Sequence, residues 1–283
     1  MTKYKIFNIE RNINESLNQI SSYKSYIRKY CSVRKIRLSA TTISLMCGTE
    51  KGENLFLISN PYSAKNFAEL IYLSIYNTKQ RINSITILDK NWMLLLDGIT
   101  SEKLEKTITQ MSKQLKTACK EEKLRSIFII GFGYDIIDGE VFITPHFHGI
   151  TFRNDTVSEK FRKSFSGGYF GASSVEFKEI KAKKDYTKEE NLRGWIQYMC
   201  FQFPRKYHNR EKGRETSYPL QQGKNYRKVM QLLGSITFNK IAFGIGRQEK
   251  QIIHSINIVI QGGINAGQEF IRKNDLKALF LQK

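Results

Sequence analysis

Proline is scarce in this chain, four among 283 residues, and no proline-rich or low-complexity tract divides it. No internal repeat is visible either, which excludes a solenoid or tandem array. Cysteine is equally sparse: Cys31, Cys47, Cys119 and Cys200 stand far apart with no CxxC pair. That spacing suggests neither a structural zinc site nor a disulfide framework, and leaves four reduced thiols in core positions. No run approaches the ~18 consecutive apolar residues of a spanning helix. The opening MTKYKIFNIERN has no apolar stretch behind its charges, so no secretory signal is expected and the chain reads as cytoplasmic.

Acidic side chains are the most telling shortage. Against 26 Asp and Glu stand 46 Lys and Arg, a net charge of +20. A soluble protein this basic most often meets a polyanion; nucleic acid is the usual one, and an anionic membrane surface the rival. With 40% hydrophobic and 12% aromatic residues the chain has the material for a packed core.

The pattern predicts a polar helix over 13–30, strands over 36–46 and 54–59, and a helix over 64–76 after the turn signal Asn60-Pro61. SITILD (84–89) reads as a strand. In the helix predicted over 101–124, Ser101 is the expected N-cap, and Leu104, Ile108, Met111 and Leu115 share one apolar face. SIFIIGFGYDII and EVFITPHFHGITF flank Asp138-Gly139, a strong hairpin signal because the turn needs positive φ. One more strand is expected within 174–182. Thr187 and Glu190 form a capping box opening a helix to about Phe203, and 269–282 reads as a closing amphipathic helix. The order implies an α+β fold with an antiparallel sheet. We divide the chain into an N-terminal α/β extension (1–80), a core (81–215) and a C-terminal basic, helical region (216–283).

Alternation along a strand sends His146 and His148 to one face, about 7 Å apart along the backbone, and Phe147 to the other. Two imidazoles on one face can converge on a divalent cation; the plainer alternative is a pair decorating a solvated sheet. His208 and His254 read as structural or incidental, and Gly131-Phe-Gly133 is too short for a phosphate loop. In NLRGWIQYMCFQFPRK (191–206), Leu192, Trp195, Ile196, Met199 and Phe203 form a buried stripe. Tyr198 lies at its edge with Asn191, Gln202 and Arg205 on the same side. PRKYHNREKGR (204–214) and KNYRK (224–228) interleave cations with tyrosine, a composition suited to phosphates and unpaired bases.

Over roughly residues 80–210, Pro-His-Phe-His, the hairpin carrying it, the helix before it and the tyrosine helix after it resemble the His-hydrophobic-His (HUH) single-strand DNA endonucleases. The likeness is to the replication initiators of rolling-circle plasmids and phages in particular. The resemblance implies a sheet of about five antiparallel strands and a Mg²⁺ or Mn²⁺ ion on His146 and His148. It also implies Tyr198 as nucleophile, with Tyr207 and Tyr186 as the other candidates. Metal-assisted nicking and joining would proceed through a 5′-phosphotyrosyl linkage and begin rolling-circle replication of a plasmid, phage or virus. A phenol is protonated at neutral pH, so the attack needs activation by metal, base or positive field. The implied partner is single-stranded DNA or a hairpin at a replication origin, with Gln202, Arg205, Lys206 and Arg210 as DNA contacts; a host helicase or self-association would be further partners, and a membrane is not expected.

Position 201 is Phe where the family commonly has Lys three residues after the tyrosine. The third ligand, a Glu or other polar residue in the family, has no evident counterpart. With Asp138-Gly139 as a two-residue turn, His146 pairs with Gly131, leaving Asp135 on the histidines' face but two same-face steps away. A bulge at the glycines would change the register and could bring Asp135 closer, and Asp135 is named as the candidate ligand. Glu140 is too far along the strand, and Asp89 is a remoter option. A transposase or relaxase of the same superfamily, a non-catalytic nucleic-acid-binding protein on the same fold, and a metal-dependent hydrolase without a covalent intermediate are the competing readings.

Overall fold

A long hairpin organises the chain. In the computed structural model, which describes residues 61–76, 78, 80–167, 173–182, 186–200 and, beyond these, 205–207, 217–219, 228–229, 232–233 and 236–261, β3 (Ser126–Ile137) and β4 (Glu140–Phe152) pair from Ser126↔Thr151 to Ile137↔Glu140 without a break. Asp138 (φ 51°) and Gly139 (φ 83°) make the turn between them. Positive φ at both central positions matches the right-handed twist of the strands, as the Asp-Gly pair predicts.

Shorter strands line both edges of the hairpin. On the β4 side, β1 (Ile82–Ile87) pairs with Phe147–Phe152 and β2 (Leu94–Leu95) with Phe142 and Ile143. Pro145, which has no N–H for a ladder, falls between those two registers. β5 (Val175–Glu179) continues outward from β1. On the β3 side, β8 (Ala242–Ile245) pairs with Ser126–Ile129, while β6 (Arg205–Tyr207) runs parallel beside Tyr134 and carries β7 (Ser217–Pro219). The result is an open, chiefly antiparallel sheet in the order β5-β1-β4-β3-β6-β7, with β2 and β8 as side branches. The architecture is α+β, and the sheet is wider than the five strands expected.

Helices cover both faces. α1 (Pro61–Ile75) starts on its proline, whose missing N–H is no loss in a first turn. α2 (Ser101–Glu121) buries Leu104, Ile108, Met111 and Leu115, the predicted stripe. Its cap is Thr100, whose hydroxyl accepts from Lys103 N; Ser101 is the first helical residue, so the expected cap is displaced by one. Either side chain can cap, and only the backbone's entry into the helix decides. The capping box before α4 (Lys188–Cys200) forms reciprocally: Glu190 N donates to Thr187 Oγ1, and Thr187 N donates to Glu190 Oε2 at 2.7 Å. α3 (Glu159–Lys163), a short α5 (Phe238–Ile241) and α6 (Arg247–Gln261) complete the described elements.

α1 packs on α4, where the Arg193 guanidinium lies 4.6 Å from the Tyr72 ring and pairs with Glu69. Phe67 of α1 stacks on Phe238 at 4.6 Å. Residues from the stretches read as N-terminal extension and C-terminal region therefore pack into the layers of the core. Cys119 and Cys200 are buried, and burial foremost pushes the Cys119 thiol up to about 12, as befits inert core thiols. The helix predicted over 13–30, the strands over 36–46 and 54–59, the helix over 269–282, and Cys31, Cys47 and His208 lie outside the described residues. Among the described residues no helix is long and apolar enough to cross a membrane.

Candidate metal centre

β4 is flanked by strands on both sides, so its alternate residues face two different packed layers. One layer is aromatic. Phe147 is fully buried, with Trp92 edge-on at 5.3 Å, Phe128 at 6.0 Å and Phe243 at 6.2 Å. Trp92 Nε1 donates to Gln114 of α2, which in turn donates to Asp89.

The other layer holds His146 and His148, only 4% and 7% exposed beneath α4. Their rings are nearly perpendicular, and the two Nε2 atoms lie 2.8 Å apart. His146 Nδ1 is 2.9 Å from the Thr144 carbonyl oxygen, and His148 Nδ1 is 3.2 Å from the Thr86 hydroxyl on β1. These are not histidines on a solvated surface; they face each other inside the fold.

Burial disfavours the charged form of both rings. It pushes His146 below the ordinary histidine value and, with the added repulsion of His146, pushes His148 well below it. Both are neutral at pH 7, the state in which imidazole binds metal.

Room for the rings comes from glycine. Gly131 pairs with His146, as the hairpin turn predicts, and a Cβ there would sit 2.9 Å from His146 Nε2 and 3.1 Å from His148 Cδ2. The glycines that are too few for a phosphate loop thus include the floor under the imidazoles.

α4 supplies the roof. Trp195 Nε1 donates to the Gly149 carbonyl at 2.9 Å, anchoring the helix to the strand that carries the histidines. Its ring stacks on Tyr198 at 5.4 Å, and both rings meet His148, Trp195 at 5.6 Å and Tyr198 at 4.8 Å. Tyr198 is 37% exposed, in contact with the buried His148 and yet partly open to solvent. Tyr186, at 58%, is more exposed.

The structure therefore brings together His146, His148 and Tyr198 from the predicted set. Asp135 pairs with Phe142, four positions along β3 from Gly131, and the continuous register contains no bulge to shorten that gap. The bulge that would have brought Asp135 closer is absent: Gly131 and Gly133 keep regular partners, His146 and Thr144. Asp89 caps the 3₁₀ turn Lys90–Trp92, accepting from Asn91 N, Gln114 and Ser166 N in the aromatic layer, so it is no ligand for the pair. Asn191 donates to the Lys181 carbonyl and serves the helix start. Arg205, Lys206 and Tyr207 fall on β6 beside β3, while Gln202 and Arg210 lie outside the described residues.

Two neutral imidazoles so arranged suit one divalent ion. Nitrogens about 2.1 Å from a cation and at right angles around it stand about 3.0 Å apart, close to the observed spacing. Among the described residues no group of three or more His, Cys, Asp or Glu side chains gathers anywhere, so the imidazole pair would hold such an ion without a carboxylate from those residues. Remaining positions would fall to water or substrate oxygen.

Sequence reasoning missed Thr86 and Gly131 as parts of the site, and placed Trp195 only in a buried stripe. The hairpin register carried a signal for Gly131. Compared with protein-family models, with curated proteins and with solved structures, the chain matches none.

Proposed function

We propose that the protein is a metal-dependent single-strand DNA endonuclease and strand transferase of the His-hydrophobic-His type, serving to initiate rolling-circle replication. The observation that carries this reading is the convergence of two neutral imidazoles at 2.8 Å, one of which, His148, meets the Tyr198 ring at 4.8 Å. A net charge of +20 supports a polyanionic substrate.

A bound Mg²⁺ or Mn²⁺ would withdraw charge from a non-bridging phosphate oxygen. The chain's own residues do the rest. His146 and His148 would hold that ion, and Trp195 fixes the Tyr198 ring by stacking. The Tyr198 oxygen gives its proton to solvent and forms a bond to phosphorus as the bond to the 3′ oxygen breaks. That oxygen departs as the hydroxyl after taking up a proton. One phosphoester replaces another, so the step runs in both directions and the same tyrosine serves nicking and joining.

Labelled single-stranded DNA incubated with the protein and Mn²⁺ is expected to form a covalent adduct. Tyr198→Phe and His146→Ala should each abolish it. Adduct in both variants overturns the proposal; salt-sensitive binding without adduct in wild type would favour a non-catalytic nucleic-acid-binding protein, and turnover without adduct a hydrolase.

A further inference from the structure

We propose that Thr86 is the positioning residue of the imidazole pair, its hydroxyl allowing His148 to exchange one neutral tautomer for the other when a divalent cation replaces the hydrogen between the rings. The inference rests on the metal reading above and concerns a residue outside the histidine motif.

The hydrogen bonds determine where each hydrogen sits. His146 Nδ1 faces the Thr144 carbonyl, which can only accept, so that nitrogen carries the hydrogen and its Nε2 presents a lone pair. Across the 2.8 Å gap a hydrogen must come from somewhere, and His146 has none left to give. His148 Nε2 therefore donates to His146 Nε2. That leaves a lone pair on His148 Nδ1, which accepts from the Thr86 hydroxyl.

A cation held by both Nε2 atoms removes the hydrogen between them. His148, still neutral, must then carry its hydrogen on Nδ1 and donate it outward. Its neighbour there is Thr86, opposite His148 in the β1–β4 register. A hydroxyl rotates from donor to acceptor without moving its oxygen, whereas a carbonyl or an ammonium has a single role. His146 needs no such change, since its Nδ1 faces a carbonyl, which has a single role. The two histidines are thus supported asymmetrically, one by a rigid acceptor and one by a reversible group. Partners of this kind orient the ring and raise its basicity.

The test combines a spectrum with an affinity. Nitrogen-15 NMR of labelled protein should show His146 with its hydrogen on Nδ1 throughout. His148 should carry it on Nε2 without metal and on Nδ1 with saturating Mg²⁺. Mn²⁺ titration followed by electron paramagnetic resonance should show Thr86→Val binding about 10- to 100-fold more weakly than wild type, with Thr86→Ser restored towards wild type. Thr86→Val binding Mn²⁺ as tightly as wild type overturns the inference while leaving the metal reading intact. So does a metal-free His148 already carrying its hydrogen on Nδ1. Wild type binding no Mn²⁺ overturns both.

Discussion

The two faces of β4 are built from neighbouring residues of one strand and obey opposite rules. On one face Phe147 is surrounded by the Trp92, Phe128 and Phe243 rings, which fill the space around it. On the other, two imidazoles occupy equally buried volume, hydrogen-bonded to each other, to the Thr144 carbonyl and to the Thr86 hydroxyl, with a glycine beneath them. An apolar layer gains stability from filling space; a polar layer costs desolvation and is tolerable only when its donors and acceptors match. Such a costly layer beside a partly exposed phenol is what singles out this face as the candidate site.

The comparison breaks most visibly at its apolar end. Phe147→Ala should destabilise the fold by about 3 to 5 kcal/mol, measured by urea denaturation, because three rings lose their shared partner. A loss no larger than that of a surface substitution would mean the aromatic layer is not the core.

On the polar face, Gly131→Ala puts a methyl group into the imidazoles, and overpacking of this kind costs about 1 to 3 kcal/mol. Mn²⁺ affinity should fall in this variant, since the rings must separate or tilt. Unchanged affinity would show that the floor is not tight.

Acidity separates the faces without mutation. The native values of both histidines are lowered by burial, so the unfolded chain takes up protons near pH 6.5 that the native fold refuses. Stability is whole above that value and declines as pH falls towards the native ones, with a limiting slope of about 1.4 kcal/mol per pH unit for each ring. Melting in EDTA between pH 7 and 5 should be flatter in the double variant His146→Gln, His148→Gln than in wild type; identical slopes would contradict the burial of the pair. The smallest effect concerns the turn that assigns residues to faces. Gly139→Ala, at φ 83°, should cost about 1 kcal/mol while leaving the Asp-Gly register in place.

Legibility followed the range of the forces involved. The hairpin, the Gly131↔His146 pairing, the capping box at Thr187 and the stripe of α2 are local patterns, and each was readable from residues within a few positions of one another. The shared face of His146 and His148 was legible for the same reason, and Tyr198 at the edge of its helix stripe lies beside them. Long-range arrangement was not legible. Nothing near residues 242–245 shows that this strand adds to β3, and nothing in EVFITPHFHGITF shows that a threonine sixty residues earlier meets His148. Ser101 as N-cap was off by one residue because the adjacent Thr100 hydroxyl can cap equally well. Asp135 as a ligand depended on a bulge, and regular pairing through both glycines removed that route.

Diffraction from crystals soaked in Mn²⁺, recorded for its anomalous signal, tests the central claim most directly. The account predicts a peak about 2.1 Å from the Nε2 atoms of both His146 and His148, with the Tyr198 ring above it. Imidazoles still hydrogen-bonded to one another at saturating Mn²⁺, with the peak elsewhere or absent, would contradict it.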